Sequence, residues 1–474
     1  MFRPSRLAPW ALVLLAAACT TPASDDGAAA TAFGAEAPLL RAVVTTSDAA
    51  PLFAAGFDVV EGSVEATSLE VIGSEEEIER LRALGYEVEV IGRGGPLAAE
   101  EALTYPPLAD IHAEMRAIEA AYPAIAKVVD LTATLGTPPT AQGRHLLALK
   151  VSKNVDASED EPTYLLVANH HARELGTPVA AVNAMKMLTS GYATDPRIQR
   201  VVDTHELWIA PTWNPDGLEH VHNAEKMWRK NRRPSAGNRF GVDLNRNYPS
   251  LWSSSCAGST ATSSETYKGP SAASEPETQT MMAFAEDRRF AKVLDLHSSG
   301  REVLTGYACS SYALATYFKG IATQLSNEMG YGGHTRRPSA QGEHGDYHVG
   351  NFSNLFFLVE INTTFQPPLA AAQAEAEQIW PGILWHMERP VPLSGHVVDA
   401  VTRAPLAASI VVRPVAYSQG EVNSSGGKFG RWQAFLPAGA YEIEVSAPGR
   451  VTQRLAVDVR DGEERVFDVA LAAP

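Results

Sequence analysis

The sequence predicts an α/β fold: a mixed, largely parallel sheet with helices on both faces, joined to a small N-terminal α+β module and a C-terminal β-sandwich. Three observations carry this expectation. Between residues 105 and 391, apolar runs (AKVVDLTATLG, HLLALKVS, YLLVAN, ELWIAPTWN, KVLDLH, LFFLVEIN) alternate with segments of helical spacing. Nearly continuous apolar strands are what a sheet covered on both faces requires. Beyond residue 391 the pattern changes to short strands parted by turn residues (SGHVVDA, SIVVRP, RWQAFLP, YEIEVSA, RLAVDV, RVFDVAL), as in a sandwich. Finally, 474 residues exceed what one hydrophobic core serves.

Taken in order, residues 1–18 read as a secretory signal. Arg3 and Arg6 precede an apolar stretch, Trp10 to Ala18, that is too short for a permanent membrane span. The ending LLAAAC resembles a bacterial lipoprotein signal, which implies lipidation of Cys19 and an exported, membrane-anchored product. Ala16 stands where leucine is usual, so a cleaved secreted or periplasmic protein is the other reading. Residues 19–37 are small and polar, a tether composition. In residues 38–92, LLRAVVTT, SLEVIGS and YEVEVIG read as strands and EEEIERLRALG as a helix, giving a small α+β module. A linker follows at 93–104. The main α/β domain, 105–391, opens with the amphipathic IHAEMRAIEAAYP, ended by Pro123, and closes with the helical AAQAEAEQIWPGILWHMER. Residues 392–474 form the sandwich.

Composition narrows the class of protein. Apolar residues are 45% and charged residues 20%, an ordinary globular profile. The net charge of −16, with no basic patch carrying interleaved aromatics, argues against a nucleic-acid partner. Besides Cys19, only Cys256 and Cys309 are present. An oxidising compartment would allow them to pair, but their separation leaves that open.

The chemistry begins where YLLVAN runs into His170-His171-Ala172-Arg173-Glu174. A histidine and a carboxylate three residues apart share one face of a helical turn and can reach one cation. His297, ending the apolar run VLDLH, is the best third ligand. Two histidines and a glutamate leave a fourth tetrahedral position for water, the plan of a catalytic zinc site. His171, Asn214, His297 and Glu360 all fall at or just after C-terminal strand ends, the edge where open α/β sheets bind ligands.

HHARE, NPDG (214–217), MWRKNRR (227–233), VDLNRNYP (242–249), SETYKG with SEPET (264–278), DLHSSG and VEIN together resemble the zinc metallocarboxypeptidase family, including carboxypeptidases A and T. The resemblance spans about 105–390, with every block in the family's order. It implies one Zn²⁺ per chain held by His171, Glu174 and His297, with Asp243 orienting the first histidine. It makes Glu360, at the end of LFFLV, the general base; a carboxylate following five apolar residues must be paired or functional. Arg229 would polarise the scissile carbonyl. Asn245 and Arg246 would hold the substrate's terminal carboxylate, with Arg173 lining the same region. Lys230, Arg232 and Arg233 are expected on a solvated face. The implied activity is removal of C-terminal amino acids from peptides or proteins with a free carboxyl end. Two other readings remain: an amidase or carboxypeptidase acting on cell-wall peptides through the same site, and a non-catalytic peptide-binding lipoprotein.

The match departs from the family at its mobile capping tyrosine. Pro338 stands in that place, leaving Arg336, Arg337 and His344 as candidates. Gly345 occupies the position that often sets side-chain preference, with Glu343 and His344 as polar neighbours. The N-terminal module takes the place of the family's activation segment, as a removable prodomain or a permanent accessory domain. The C-terminal sandwich resembles the transthyretin-like domain of some carboxypeptidases.

Overall fold

The computed structural model describes residues 38–60, 63–95, 105–237 and 239–474; the leader, the whole tether with Cys19, and most of the linker lie outside them. Near the N-terminus four strands, β1 (Leu40–Thr45), β2 (Asp58–Val60), β3 (Ser68–Gly73) and β4 (Glu87–Arg93), form an antiparallel sheet in the order β2-β3-β1-β4. The helix Glu75–Ala83 starts at a reciprocal cap, Ser74 with Glu77, which satisfies two otherwise unpaired backbone donors. Leu52, Phe57, Ile78 and Leu81 fill the space between helices and sheet. The three-residue β2 and the short helix Ala50–Ala54 were not anticipated from sequence. Elements this short carry too little periodicity to read.

The central sheet holds eight strands: β5 (Ala126–Asp130), β6 (Leu147–Val151), β7 (Thr163–Ala168), β8 (Glu206–Ala210), β11 (Lys292–Ser298), β12 (Glu302–Leu304), β13 (Thr335–Arg336) and β14 (Leu355–Ile361). Between β8 and β11 lies a two-residue ribbon, β9 (Pro234–Ser235) with β10 (Arg239–Phe240). The sheet order is β13-β12-β14-β11-β7-β8-β6-β5. Its middle four strands, β14, β11, β7 and β8, are parallel, and antiparallel pairs flank them, so the sheet is mixed as expected. Alternation sends Leu166, Leu294, Phe357 and Val359 to one core, beneath helices Gly176–Gly191, Ala315–Glu328 and Leu369–Glu388. Leu165, Val167, Val293, Phe356 and Leu358 enter the opposite core with helices Pro276–Arg288 and His344–Phe352. Both faces are therefore covered, which is why the strands read as unbroken apolar runs.

The C-terminal strands form two further sheets. One contains β15 (Leu393–Asp399), β18 (Arg431–Ala434) and β21 (Arg465–Val466), with β22 (Val469–Leu471) also pairing β15. The other runs β17 (Asn423–Ser424), β16 (Ser409–Arg413), β19 (Gly439–Ser446) and β20 (Gln453–Val459). Val397, Val412, Trp432, Ile443 and Val457 bury between them, and this core is continuous with that of the α/β body. Gln433 donates to the carbonyls of Phe290 and Phe352 and so fixes the sandwich to the body. Cys256 and Cys309 are disulfide-bonded, Cα atoms 6.3 Å apart. Among the described residues no helix is long and apolar enough to cross a membrane.

Candidate active site

β7 ends at Ala168, and Asn169 takes a left-handed backbone conformation, φ +63°, which asparagine tolerates better than most residues. The chain turns sharply there, and the Asn169 side-chain amide donates to the carbonyl of His171 at 3.1 Å. His171 and Glu174 come together on this turn, closed by Glu174 N–H donating to the His171 carbonyl at 3.2 Å. It is a single turn preceding the helix Gly176–Gly191, rather than part of that helix. His297 arrives from β11. Its register partner on β14 is Glu360, so both side chains leave the same face of the sheet.

The three expected ligands converge. His171 Nδ1 lies 2.8 Å from Glu174 Oε1 and 3.1 Å from His297 Nδ1, which is 3.3 Å from Glu174 Oε2. All three are buried, and their donor atoms lie within 4.8 Å of one another. Two imidazole nitrogens and a carboxylate oxygen at this separation suit a tetrahedral zinc ion. Asp243 Oδ1 lies 3.2 Å from His171 Nε2, the ring nitrogen facing away from the cluster. Its other oxygen accepts from Arg229 Nε at 2.9 Å. Burial opposes the charge on Asp243, but Arg229 and then His171 outweigh it and hold the acid well below the usual carboxylate range.

One pocket is lined by His171, Glu174, His297, Arg173, Arg229, Asn245, Arg246, Glu343 and Glu360. The residues expected to bind zinc, to act as base and to hold the substrate therefore all face it, and Asp243 supports it from behind. Glu360 is buried among apolar strand residues, and its Oε2 has no hydrogen-bond partner. Burial, and secondarily the charge of Glu174, push its carboxyl up to about 7. Arg246 Nη1 donates to Glu343 Oε1 at 2.9 Å, so a carboxylate already sits on the expected carboxylate clamp.

Asn214 stays outside the pocket: it caps the helix Pro215–Asn223 and braces the His170 carbonyl. Lys230 and Arg232 are buried, contrary to the solvated face expected for them. The Lys230 ammonium lies 3.4 Å from Glu265 and donates to the Ser264 carbonyl, while Arg232 stacks between Trp228 and Phe240. No tyrosine is among the residues lining the pocket. Of the three candidates to replace one, Arg337 is turned to the Tyr307 and Ser310 carbonyls, and His344 is fully buried against Asp295. Arg336 pairs with Glu302 and comes within 3.8 Å of Glu360. A Cβ on Gly345 would lie 2.6 Å from the Phe356 ring, so that glycine serves packing, while Glu343 faces the pocket.

Sequence reasoning missed Asp58. This residue of β2 enters the same pocket with Phe53, Phe57 and Val59. Its two oxygens accept from Arg173 at 2.6 and 2.9 Å, and one lies 3.5 Å from Arg229. The Gly56 carbonyl accepts from Ser264 and Thr266 beside it. A cavity of about 50 Å³ is left, room for one or two waters.

A family model described as zinc carboxypeptidase matches residues 111–372, more than half of the chain. The chain belongs to the zinc carboxypeptidase family. Among curated relatives, a zinc carboxypeptidase of Saccharothrix mutabilis subsp. capreolus is 43% identical over 113 residues, 23% of this chain and 26% of that protein. Carboxypeptidase A2 of Rattus norvegicus is 31% identical over 225 residues, 46% of this chain and 50% of that protein. The chain thus spans about a quarter to a half of the length of these relatives. The carboxypeptidase A structure from Helicoverpa armigera superposes with a TM-score of 0.60 at 21% identity, covering 73% of this chain and 96% of that one, and supports the fold. Zinc is the metal in the family's description, and the His171, Glu174 and His297 donor set fits it.

Proposed function

We propose that this chain is a metallocarboxypeptidase that removes C-terminal amino acids from peptides or proteins, in a form whose cleft is closed by its own N-terminal module. The observation carrying this reading is that an acid poised as a base, three arginines and a zinc-type donor set all line one pocket. Zinc held by His171, Glu174 and His297 would supply a Lewis acid for water and for the scissile carbonyl. Glu360 takes a proton from the attacking water at its partnerless Oε2 and returns it to the leaving amine. Desolvation suits it to the role, because a base near neutrality both accepts and gives up a proton readily. Arg229, fixed in direction by Asp243, donates to the oxygen on which negative charge develops. Asn245 and Arg246 grip the terminal carboxylate, and an internal peptide bond offers no such charge. That grip makes the enzyme an exopeptidase. Glu343 occupies it in the closed form.

Asp58 on Arg173 and Arg229 supports reading residues 38–92 as an inhibitory segment that must move or be cut away. The disulfide supports an oxidising compartment. The leader supports export with lipid anchoring at Cys19, which Cys19→Ser tests by releasing the protein from the membrane fraction. The activity itself is tested on peptides with free and amidated C-termini, with and without chelator, once the module is removed. Metal-dependent release of terminal residues from free-acid peptides alone is expected. Equal cleavage of amidated peptides, or activity confined to peptides containing D-amino acids, would replace this reading.

A further inference from the structure

Behind His297 lies a group of side chains that the mechanism above does not use. Asp295 precedes His297 by two residues on β11, so both leave the same face of the strand. Asp295 is fully buried and has three imidazoles around its carboxylate. Its Oδ2 lies 2.8 Å from His344 Nδ1, while Oδ1 lies 3.1 Å from His170 Nδ1 and 3.3 Å from His297 Nε2. His170 Nε2 in turn lies 3.0 Å from the Tyr248 hydroxyl. His297 Nε2 is buried and makes no well-aligned hydrogen bond, its 3.3 Å approach to Asp295 Oδ1 included.

An ionised carboxylate only accepts hydrogen bonds, and a neutral imidazole carries one N–H and one lone pair. With the proton on Nδ1, His170 donates to Asp295 and accepts from Tyr248. With the proton on Nδ1, His344 also donates to Asp295. The same requirement places the His297 proton on Nε2 and leaves its Nδ1 lone pair facing His171 and Glu174. Neutral rings thus turn an N–H toward Asp295 from three sides, while His344 Nε2 stays buried without a partner. Asp243 stands in the same relation to His171 Nε2.

We propose that Asp295 is a positioning residue for zinc binding: it sets the tautomer and ring direction of His297, and His170 and His344 hold it in place. The inference rests on His297 being a zinc ligand. His170, Asp295 and His297 also lie close enough to hold an ion themselves. However, Asp295 Oδ2 and His170 Nε2 are already engaged, and neither Asp295 nor His170 lines the pocket.

The test measures zinc affinity of the full-length protein by competition with a chromogenic chelator, with thermal melting of the metal-free form alongside. Asp295→Asn is expected to bind one zinc roughly 10–100-fold more weakly, the range for losing a ligand's carboxylate partner. His344→Asn, which removes one holder of the carboxylate, should give a smaller loss. In the metal-free parent, at a pH high enough to leave His297 neutral, ¹⁵N histidine spectra assigned with His297→Gln should show the single His297 ring proton on Nε2, a readout that needs no folded Asp295 variant. Parent-like affinity in a folded Asp295→Asn, an Nδ1-protonated His297, or two zinc ions in the parent falling to one in Asp295→Asn would each overturn the proposal. A parent that binds no zinc would remove the functional reading beneath it, and this inference with it.

Discussion

Asp58→Ala isolates the contact that closes the cleft. Asp58 and Arg173 are 3% and 1% exposed, so their bidentate pair is fully desolvated. Each hydrogen bond to a charged partner contributes about 1.5–3 kcal/mol. Removing one member of a buried pair costs about 3–5 kcal/mol, because the other charge stays buried without a partner. The variant escapes that cost by letting the module leave, which returns Arg173 to water. At 1.4 kcal/mol per factor of ten, the population with an open cleft should rise by roughly 10²- to 4 × 10³-fold. Substrate turnover should rise with it until it reaches the rate of the module-free enzyme. The assay is the initial rate on a short N-blocked peptide with a free C-terminus, comparing parent, Asp58→Ala and a chain lacking residues 38–92. Because the pair is buried, added salt should substitute poorly for the mutation. If Asp58→Ala stays as slow as the parent while the shortened chain is fast, Asp58 is not the latch. If the parent already matches the shortened chain, the module does not inhibit.

Glu360→Gln should retain zinc and lose about 10²–10⁴ in kcat, as for other general bases, measured on module-free protein; unchanged turnover would remove Glu360 from the mechanism. In the parent, desolvation raises the Glu360 carboxyl from 4.5 to about 7. The base is therefore protonated and idle below that range, and kcat/KM should fall as pH drops through it; bound zinc moves the limb downward, and Glu360→Gln abolishes it. Arg246→Lys should lower kcat/KM on free-acid peptides by about 10–100-fold through loss of a bidentate grip, measured by steady-state kinetics, and an unaffected KM would argue against the clamp. The Cys256–Cys309 bond closes a 53-residue separation, which corresponds to about 4 kcal/mol of chain entropy. Cys256→Ser should therefore lower the thermal midpoint under non-reducing conditions and abolish its sensitivity to reductant.

Much of this was legible in the chain because the site sits where apolar strands stop. YLLVA, VLDLH and LFFLVE announced three buried neighbouring strands, and their ends deliver His171, His297 and Glu360 to one edge. The closing contact was not legible. Asp58 sits in FDVV like any strand residue, and its partner Arg173 lies 115 residues further on. Lys230 and Arg232 were misjudged because charge density alone suggests solvent. Their burial depends on Glu265, Trp228 and Phe240, which only the folded chain brings near. Asp295 did carry a signal, a carboxylate inside an apolar run, which must find partners. Those partners, His170 and His344, come from the turn after β7 and from the helix before β14, and no spacing rule links them.

The central claim is that His171, Glu174 and His297 jointly hold one zinc ion. Metal analysis of the purified parent beside His171→Ala and His297→Ala, each verified as folded, tests it most directly. One zinc per chain in the parent and none retained by either variant is the expected result. A variant that keeps its full zinc, or a parent that takes up none when zinc is supplied, would contradict it.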